Sequence, residues 1–397
     1  MIDYVFGANI LENLTTGMYK DSKVIYREYI QNACDQIDEA VRNGTLRFDE
    51  GIIEIWLDCE RRTIVIEDNA TGIPSASFQQ TLVSIADSDK TIGQNKGFRG
   101  IGRLCGLAYC RELVFSSSVK GEGIVSKMIC DARRMRELID ENARGKKHTA
   151  NDVLNAVNRF VYEETEDVGS HFFRVEMIDI NRENNELLER QQVKDYLSFV
   201  APVPYQSIFH YRQDIYQHAQ RLGAKIDEYR ITLDGETVFK KYTTTLKDAS
   251  SCKYDEVFDV HFKSFYRDKR LLAWLWVGVS SFPRAIPKNN LMRSLRLRKD
   301  NIQIGSEDAL QKLFREDRGN HYFVGEVFAV DSGLIPNARR DYFNENPERE
   351  TFERELRRYF NEELQKIYYS GSAVNSAYKK IEAYEKRRAQ FQSKEMA

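Results

Sequence analysis

The stretch Tyr-Arg-Glu-Tyr-Ile-Gln-Asn-Ala-Cys-Asp, residues 26–35, constrains the chain more than any other. On a helix turning about 100° per residue, Glu28, Asn32 and Asp35 fall within roughly 60° of one another. Ile25, Tyr29, Ala33 and Ile37 recur every fourth position and make an apolar stripe beside them. Such a helix packs one face on a sheet and carries two carboxylates and an amide along its edge. A polar stripe of this kind is most often a solvated face. Two segments further along the chain decide between that reading and a binding site.

The helix is predicted over about 22–42, with Asp21 or Ser22 as N-cap and Asn43-Gly44 as its stop. Ile53, Ile55 and Leu57 alternate with Glu54, Trp56 and Asp58, which predicts a half-buried strand. Glu60-Arg61-Arg62 turns the chain into a second strand, Thr63 to Ile66, that runs into Glu-Asp-Asn-Ala-Thr-Gly-Ile-Pro. A carboxylate at Asp68, on an apolar rim, costs several kcal/mol unless a donor meets it. Either a ligand supplies that donor, or Asp68 caps its own turn.

Gly93, Gly97, Gly100 and Gly102 then crowd one loop, before the helical-looking Arg103 to Ala108. Bare backbone N–H groups feeding a helix start form an anion cradle. Lys90, Lys96, Arg99 and Arg103 add positive charge to it. The loop is neither a Walker sequence nor a dinucleotide fingerprint: G-x-x-x-x-G-K-[ST] is absent, and no strand immediately precedes the glycines.

E-x-x-x-N-x-x-D, then D-N-x-x-G-I-P, then G-F-R-G-I-G-R-L, in that order, resemble the GHKL ATPases: gyrase, the ninety-kilodalton heat-shock chaperones, sensor histidine kinases and MutL. Val168 to Val175 is similar to the family's closing strand, with Ser170 where threonine is usual. The resemblance implies an α/β (α+β) fold, a Bergerat-type ATP-binding sandwich of a mixed sheet layered with helices, with a smaller α/β transducer domain after it. It also implies roles. Glu28 is the general base for water, and Asn32 holds Mg²⁺. Asp35 lies near the adenine side, and Asp68 accepts from the adenine amino group. Gly72 lets the backbone pass close to the base. Gly97, Gly100 and Gly102, with Lys90, Lys96, Arg99 and Ile101, close over the phosphates. Ser170 joins the adenine contact. One position departs from the pattern: Ala70 stands where the family has glycine, which matters only if the backbone there needs positive φ.

Gly325 to Asp341 resembles the chaperones' transducer segment, in which an arginine reaches the γ-phosphate. Arg340 is the first candidate and Arg339 the second. The resulting division is 1–180 for ATP binding, 181–370 for the transducer and 371–397 for a charged helical tail that offers a dimer contact. Residues 131–163 read as one or two charged helices, an insertion without assigned function. Arg284 to Lys299 carries six basic residues and no acid, and reads as an exposed loop or as a phosphate or nucleic-acid contact.

The implied function is an Mg-ATP-driven switch, chaperone-like, that closes or dimerises on ATP and acts on a protein client. The alternative is a MORC- or MutL-like clamp on DNA, with bacterial defence as a setting for it; a histidine kinase and a non-hydrolysing nucleotide sensor rank below it. Net charge of −2 forces no general attraction to nucleic acid. No apolar run of about eighteen residues suits a membrane span. Six scattered cysteines without a C-x-x-C pair predict free thiols in a reducing cytoplasm rather than a zinc site.

Overall fold

Glu228–Lys240 leaves its sequence neighbours to join the first compact unit, which otherwise comprises residues 1–204; the second unit holds 205–227 and 241–397. The computed structural model describes residues 6–15, 17, 21–85 and 102–395. The first unit thus runs past the expected boundary at residue 180 and leaves at the Ala-Pro-Val-Pro-Tyr junction.

In the first unit, α1 (Asn9–Leu14) and α2 (Val24–Arg42) precede the hairpin of β1 (Ile52–Asp58) and β2 (Thr63–Asp68). Next come α3 (Ser75–Val83), a 3₁₀ helix at Gly102–Ala108, β3 (Cys110–Ser118), β4 (Ile124–Asp131), α4 (Ala132–Ala143), α5 (Ala150–Val157), β5 (Asn158–Glu164), β6 (Phe172–Ile180), α6 (Arg190–Val200), β7 (Arg230–Leu233) and β8 (Glu236–Thr237). The strands form one mixed sheet in the order β5-β4-β3-β6-β2-β1-β7-β8. Only β1 and β7 run parallel; the other pairs are antiparallel.

One face of this sheet is wet and the other is covered, as the alternation in β1 and β2 requires. Ile53, Ile55, Ile64 and Ile66 share a buried core with Ile25, Tyr29, Ala33 and Ile37 of α2. Trp56 is partly exposed on the opposite parity, where Glu67 pairs with Arg174. α2 is buried more widely than one stripe predicts. Tyr26, Ile30 and Cys34 are also in the core, and the Tyr26 hydroxyl donates to the Leu187 carbonyl.

Several local expectations change. α2 starts at Val24 without a side-chain cap; Asp21 accepts from the Lys23 amide, and the Ser22 hydroxyl donates to Glu186. The insertion is two helices and then an edge strand, because Asn158 ends α5 in extended conformation and β5 pairs with β4 from Cys130↔Asn158 to Ile124↔Glu164. After β6 come a 3₁₀ turn, Arg182–Leu187, and α6. β7 and β8 form a hairpin of the first sheet although they follow residue 180; its turn residues Asp234 and Gly235 both have positive φ, as a tight I′ turn demands.

The second unit holds α7 (Arg212–Arg221), a small ladder of β9 (Thr245–Lys247) with β10 (Lys253–Glu256), and a five-stranded sheet. That sheet orders β11 (Asp259–Arg267), β12 (Arg270–Val279), β15 (Val324–Ala329), β13 (Ser294–Lys299) and β14 (Ile302–Gln303). The unit closes with α8 (Pro347–Arg358), a π turn at Tyr359–Leu364 and α9 (Gln365–Glu395). Leu275, Val277 and Val327 pack with Phe352, Leu356 and Phe360 on one side. The Trp274 and Trp276 side chains, of the opposite parity in β12, are equally buried. That explains the unbroken apolar run of the central strand.

The basic stretch Arg284 to Lys299 is not an exposed loop throughout. Its last six residues are β13, with Arg296 and Arg298 buried. Arg298 pairs with Glu326 of β15, which also accepts from the Tyr205 hydroxyl. Arg296 donates to Gln303 Oε1 at 2.7 Å and to the Leu291 carbonyl at 2.6 Å. Arg284 stays exposed, paired with Asp248 and lying over the Tyr254 ring.

Candidate nucleotide site

Asp68 ends β2 with the parity of Ile64 and Ile66, so its carboxylate enters the helix-covered layer, and the residue is 3% exposed. Oδ1 accepts from the Ala70 amide at 3.1 Å, the turn-capping bond expected of an aspartate in this place. Asn69 staples the turn from outside, accepting from the Ile52 amide at 2.8 Å and donating to the Glu50 carbonyl at 2.9 Å. Ala70 keeps a negative φ, so the departure from glycine costs no strain.

Gly72 carries the conformational demand, with φ +71°. A methyl on it would sit 2.1 Å from the Ser118 carbonyl oxygen. The close neighbour is thus the end of β3. Ser117 ties the same corner: its hydroxyl oxygen accepts from the Ile73 amide at 2.7 Å, and the hydroxyl donates to the Phe172 carbonyl at 3.1 Å. Ser170 is half-buried just before β6, its amide bonded to Asp167 Oδ1 at 3.1 Å. His171 Nδ1 lies 2.7 Å from the Ala70 carbonyl and fixes the turn after Asp68 from the far strand.

On α2, Glu28 and Asp35 are buried and Asn32 is half-buried. Arg27 Nη2 stands 3.2 Å from Glu28 Oε1 and supplies a counter-charge, which a carboxylate in an apolar layer needs. The second oxygen, Oε2, would meet a methyl on Gly102 at 2.6 Å. The exit of the glycine-rich stretch therefore touches the carboxylate face of α2. Gln31, one turn from both carboxylates, is buried with Oε1 lacking a hydrogen-bond partner.

Tyr29 locks that exit in place. Its hydroxyl donates to the Arg103 carbonyl at 2.9 Å and accepts from the Gly106 amide at 3.1 Å. Burial, with the neighbouring Cys105 and Cys110, pushes the Tyr29 phenol well above its usual pKa, so it stays a neutral two-way bridge. Burial, reinforced by Glu28, likewise pushes the Cys105 thiol up and leaves it unreactive. Arg103 does not add to an open cationic cradle: it donates to the carbonyls of Thr81 at 3.1 Å and Ser84 at 2.5 Å, joining α3 to the 3₁₀ helix.

Glu28, Asn32, Asp35, Asp68, Gly72, Gly102 and Ser170 all belong to the first unit. Lys90, Lys96, Gly97, Arg99, Gly100 and Ile101 lie outside the described residues. Arg340 and Arg339 belong to the second unit, Arg340 buried with φ +54° and Arg339 exposed. Sequence reasoning missed His171, Ser117 and Gln31. Only Gln31 had a signal, its spacing of three and four from Glu28 and Asp35.

A buried carboxylate against a glycine, an amide beside it on the same helix, and a second carboxylate at a strand end on the covered face offer hydrogen-bond acceptors to a polar ligand. The Nitrobacter winogradskyi protein named chaperone protein HtpG is 34% identical over 87 residues, 20% of this chain and 14% of that one. The Psychrobacter arcticus protein of the same name is 31% identical over 118 residues, 25% of this chain and 18% of that one. The chain thus matches less than a fifth of the length of these two relatives. The profile of the histidine kinase-, DNA gyrase B- and HSP90-like ATPases matches from Asp21 to Val157, and spans α2, both carboxylates and the glycine-rich stretch. Residues 21–157 are a domain of that ATPase family, GHKL-type and heat-shock-90-like.

Proposed function

We propose that the first unit binds Mg-ATP and hydrolyses it, and that the chain is a heat-shock-90-like conformational switch. The observation that carries this reading is the Glu28 carboxylate, buried beside Arg27 and in reach of Gly102. A general base must be held at a fixed place, and the Arg27 pair and the close approach of Gly102 support that role for Glu28.

In this reading Glu28 orients water toward the γ-phosphate and takes its proton. Asp68 accepts the adenine amino hydrogen. Asp35 and Ser170 complete the adenine side, and Gly72 shapes the turn. Gly97, Gly100 and Gly102, with Lys90, Lys96, Arg99 and Ile101, cover the phosphates. The Asn32 amide oxygen is a hard donor on the same helix face as Glu28 and fits Mg²⁺. When bound, that ion would neutralise phosphate charge. Arg340, then Arg339, would answer the γ-phosphate from the second unit.

A chaperone-like output on a protein client, with homodimer closure on ATP, accords with the names of the relatives and with the transducer resemblance. It also suits a cytoplasmic protein; no helix among the described residues is long and apolar enough to cross a membrane. The DNA-clamp reading is weakened by the burial of Arg296 and Arg298. The test is Glu28→Ala. Hydrolysis is expected to fall on the order of 10²–10⁴-fold while a non-hydrolysable ATP analogue still binds, and Asp68→Asn should lose that binding. Normal turnover in Glu28→Ala would overturn the mechanism.

A further inference from the structure

The pairing of β2 with β6 is carried past both strand ends by a side chain. Asp68 closes β2 opposite Phe173, and Phe173 stands opposite Ser117 of β3 on its other side. Continued by two residues, the antiparallel register sets Ala70 opposite His171, both with the parity of the covered face. There the His171 ring bridges the gap, with Nδ1 2.7 Å from the Ala70 carbonyl oxygen. A carbonyl oxygen only accepts, so Nδ1 carries the hydrogen of this bond.

Ala70 is the residue that steers Asp68. Its amide donates to Asp68 Oδ1 at 3.1 Å, and its methyl is fully buried in the core. The amide that directs the carboxylate and the carbonyl that His171 holds flank one Cα, so a rotation that frees one disturbs the other. Ser117 secures the far end of the turn, where its hydroxyl oxygen accepts from the Ile73 amide at 2.7 Å. His171 acts at the near end, beside the carboxylate.

We propose that His171 is a positioning residue for base selectivity: by holding the Ala70 carbonyl it fixes the direction of the Asp68 carboxylate. This rests on the ATP reading of the site. A carboxylate offers acceptors alone. Held in one direction, it takes adenine, whose edge carries an amino group, and rejects guanine, whose matching position carries a carbonyl oxygen. Released, it loses the attraction and the rejection together.

The test is calorimetric binding of nucleotides to the full chain and two variants. Phenylalanine keeps a ring without a donor, and asparagine keeps an N–H near the place of Nδ1. His171→Phe should bind ADP and a non-hydrolysable ATP analogue each about tenfold more weakly. The factor should be the same for both, since the defect lies at the base end. Preference for the ATP analogue over its guanine counterpart should fall to a similar extent, and His171→Asn should restore affinity and preference. Nitrogen NMR of the wild type without nucleotide should show Nδ1 protonated. A bare Nδ1, wild-type affinity and preference in His171→Phe, no recovery in His171→Asn, or a loss confined to the ATP analogue would overturn the proposal and leave the ATP reading standing. A wild type that binds no adenine nucleotide would overturn both.

Discussion

Gly102 has room for a hydrogen and little else, because the space where a side chain would start is held by Glu28 Oε2. Gly102→Ala should therefore displace the carboxylate rather than unfold the chain. A shift near 1 Å at a catalytic group costs on the order of 10²-fold in rate, so kcat should fall by about that factor while analogue affinity changes little. Gly72→Ala is a different case. It combines positive φ with a 2.1 Å approach to a backbone oxygen that cannot swing away. A loss of about 2–4 kcal/mol is expected, read by chemical denaturation. Ala70→Gly, where φ is not positive, should cost less than about 1 kcal/mol, through the unfolded chain alone.

At the scale of elements, α6 and the β7–β8 hairpin meet through charge. Glu236 Oε1 lies 2.9 Å from Arg190 Nη2, and Oε2 lies 2.6 Å from Lys194 Nζ. Hydrogen bonds from Lys194 and then Arg190 pull the Glu236 pKa down to about 2. A carboxyl whose folded pKa is depressed adds stability above its unfolded value, and that stability is lost as pH falls toward the folded one. Thermal stability should thus decline between about pH 4.5 and pH 2, and Glu236→Gln should flatten that part of the curve, less so in high salt. In the second sheet, Arg298→Met should cost about 3–5 kcal/mol by stranding Glu326, seen in the fluorescence of Trp274 and Trp276. The same elements mark what a sequence can disclose. The α2 stripe and the β1–β2 hairpin are local, and their residues lie within a few positions of each other. His171 answers a carbonyl 101 residues away, and nothing in its neighbourhood announces that. Arg298 reads as solvent-facing in the sequence because its partner is 28 residues on, in another strand. β5 is hidden there because α5 passes into it at Asn158 with no intervening loop.

For the whole molecule, the ATP reading predicts linkage. A non-hydrolysable analogue with Mg²⁺ at about a hundred times its Kd should stabilise the native state by about 2.7 kcal/mol, visible as a rise in Tm that Asp68→Asn abolishes. Light scattering in the same samples should show whether closure adds mass beyond the nucleotide-free species. The path of the chain bears on any attempt to make the pieces separately. It leaves the first unit at Pro204 and comes back for Glu228–Lys240 before leaving again. A gene cut after codon 204 would strip β7 from the flank of β1 and leave a raw row of amides and carbonyls, an invitation to aggregate. A workable fragment has to be spliced, with 205–227 replaced by a short tether; a protease that nicks that excursion would leave two polypeptides still woven into one sheet.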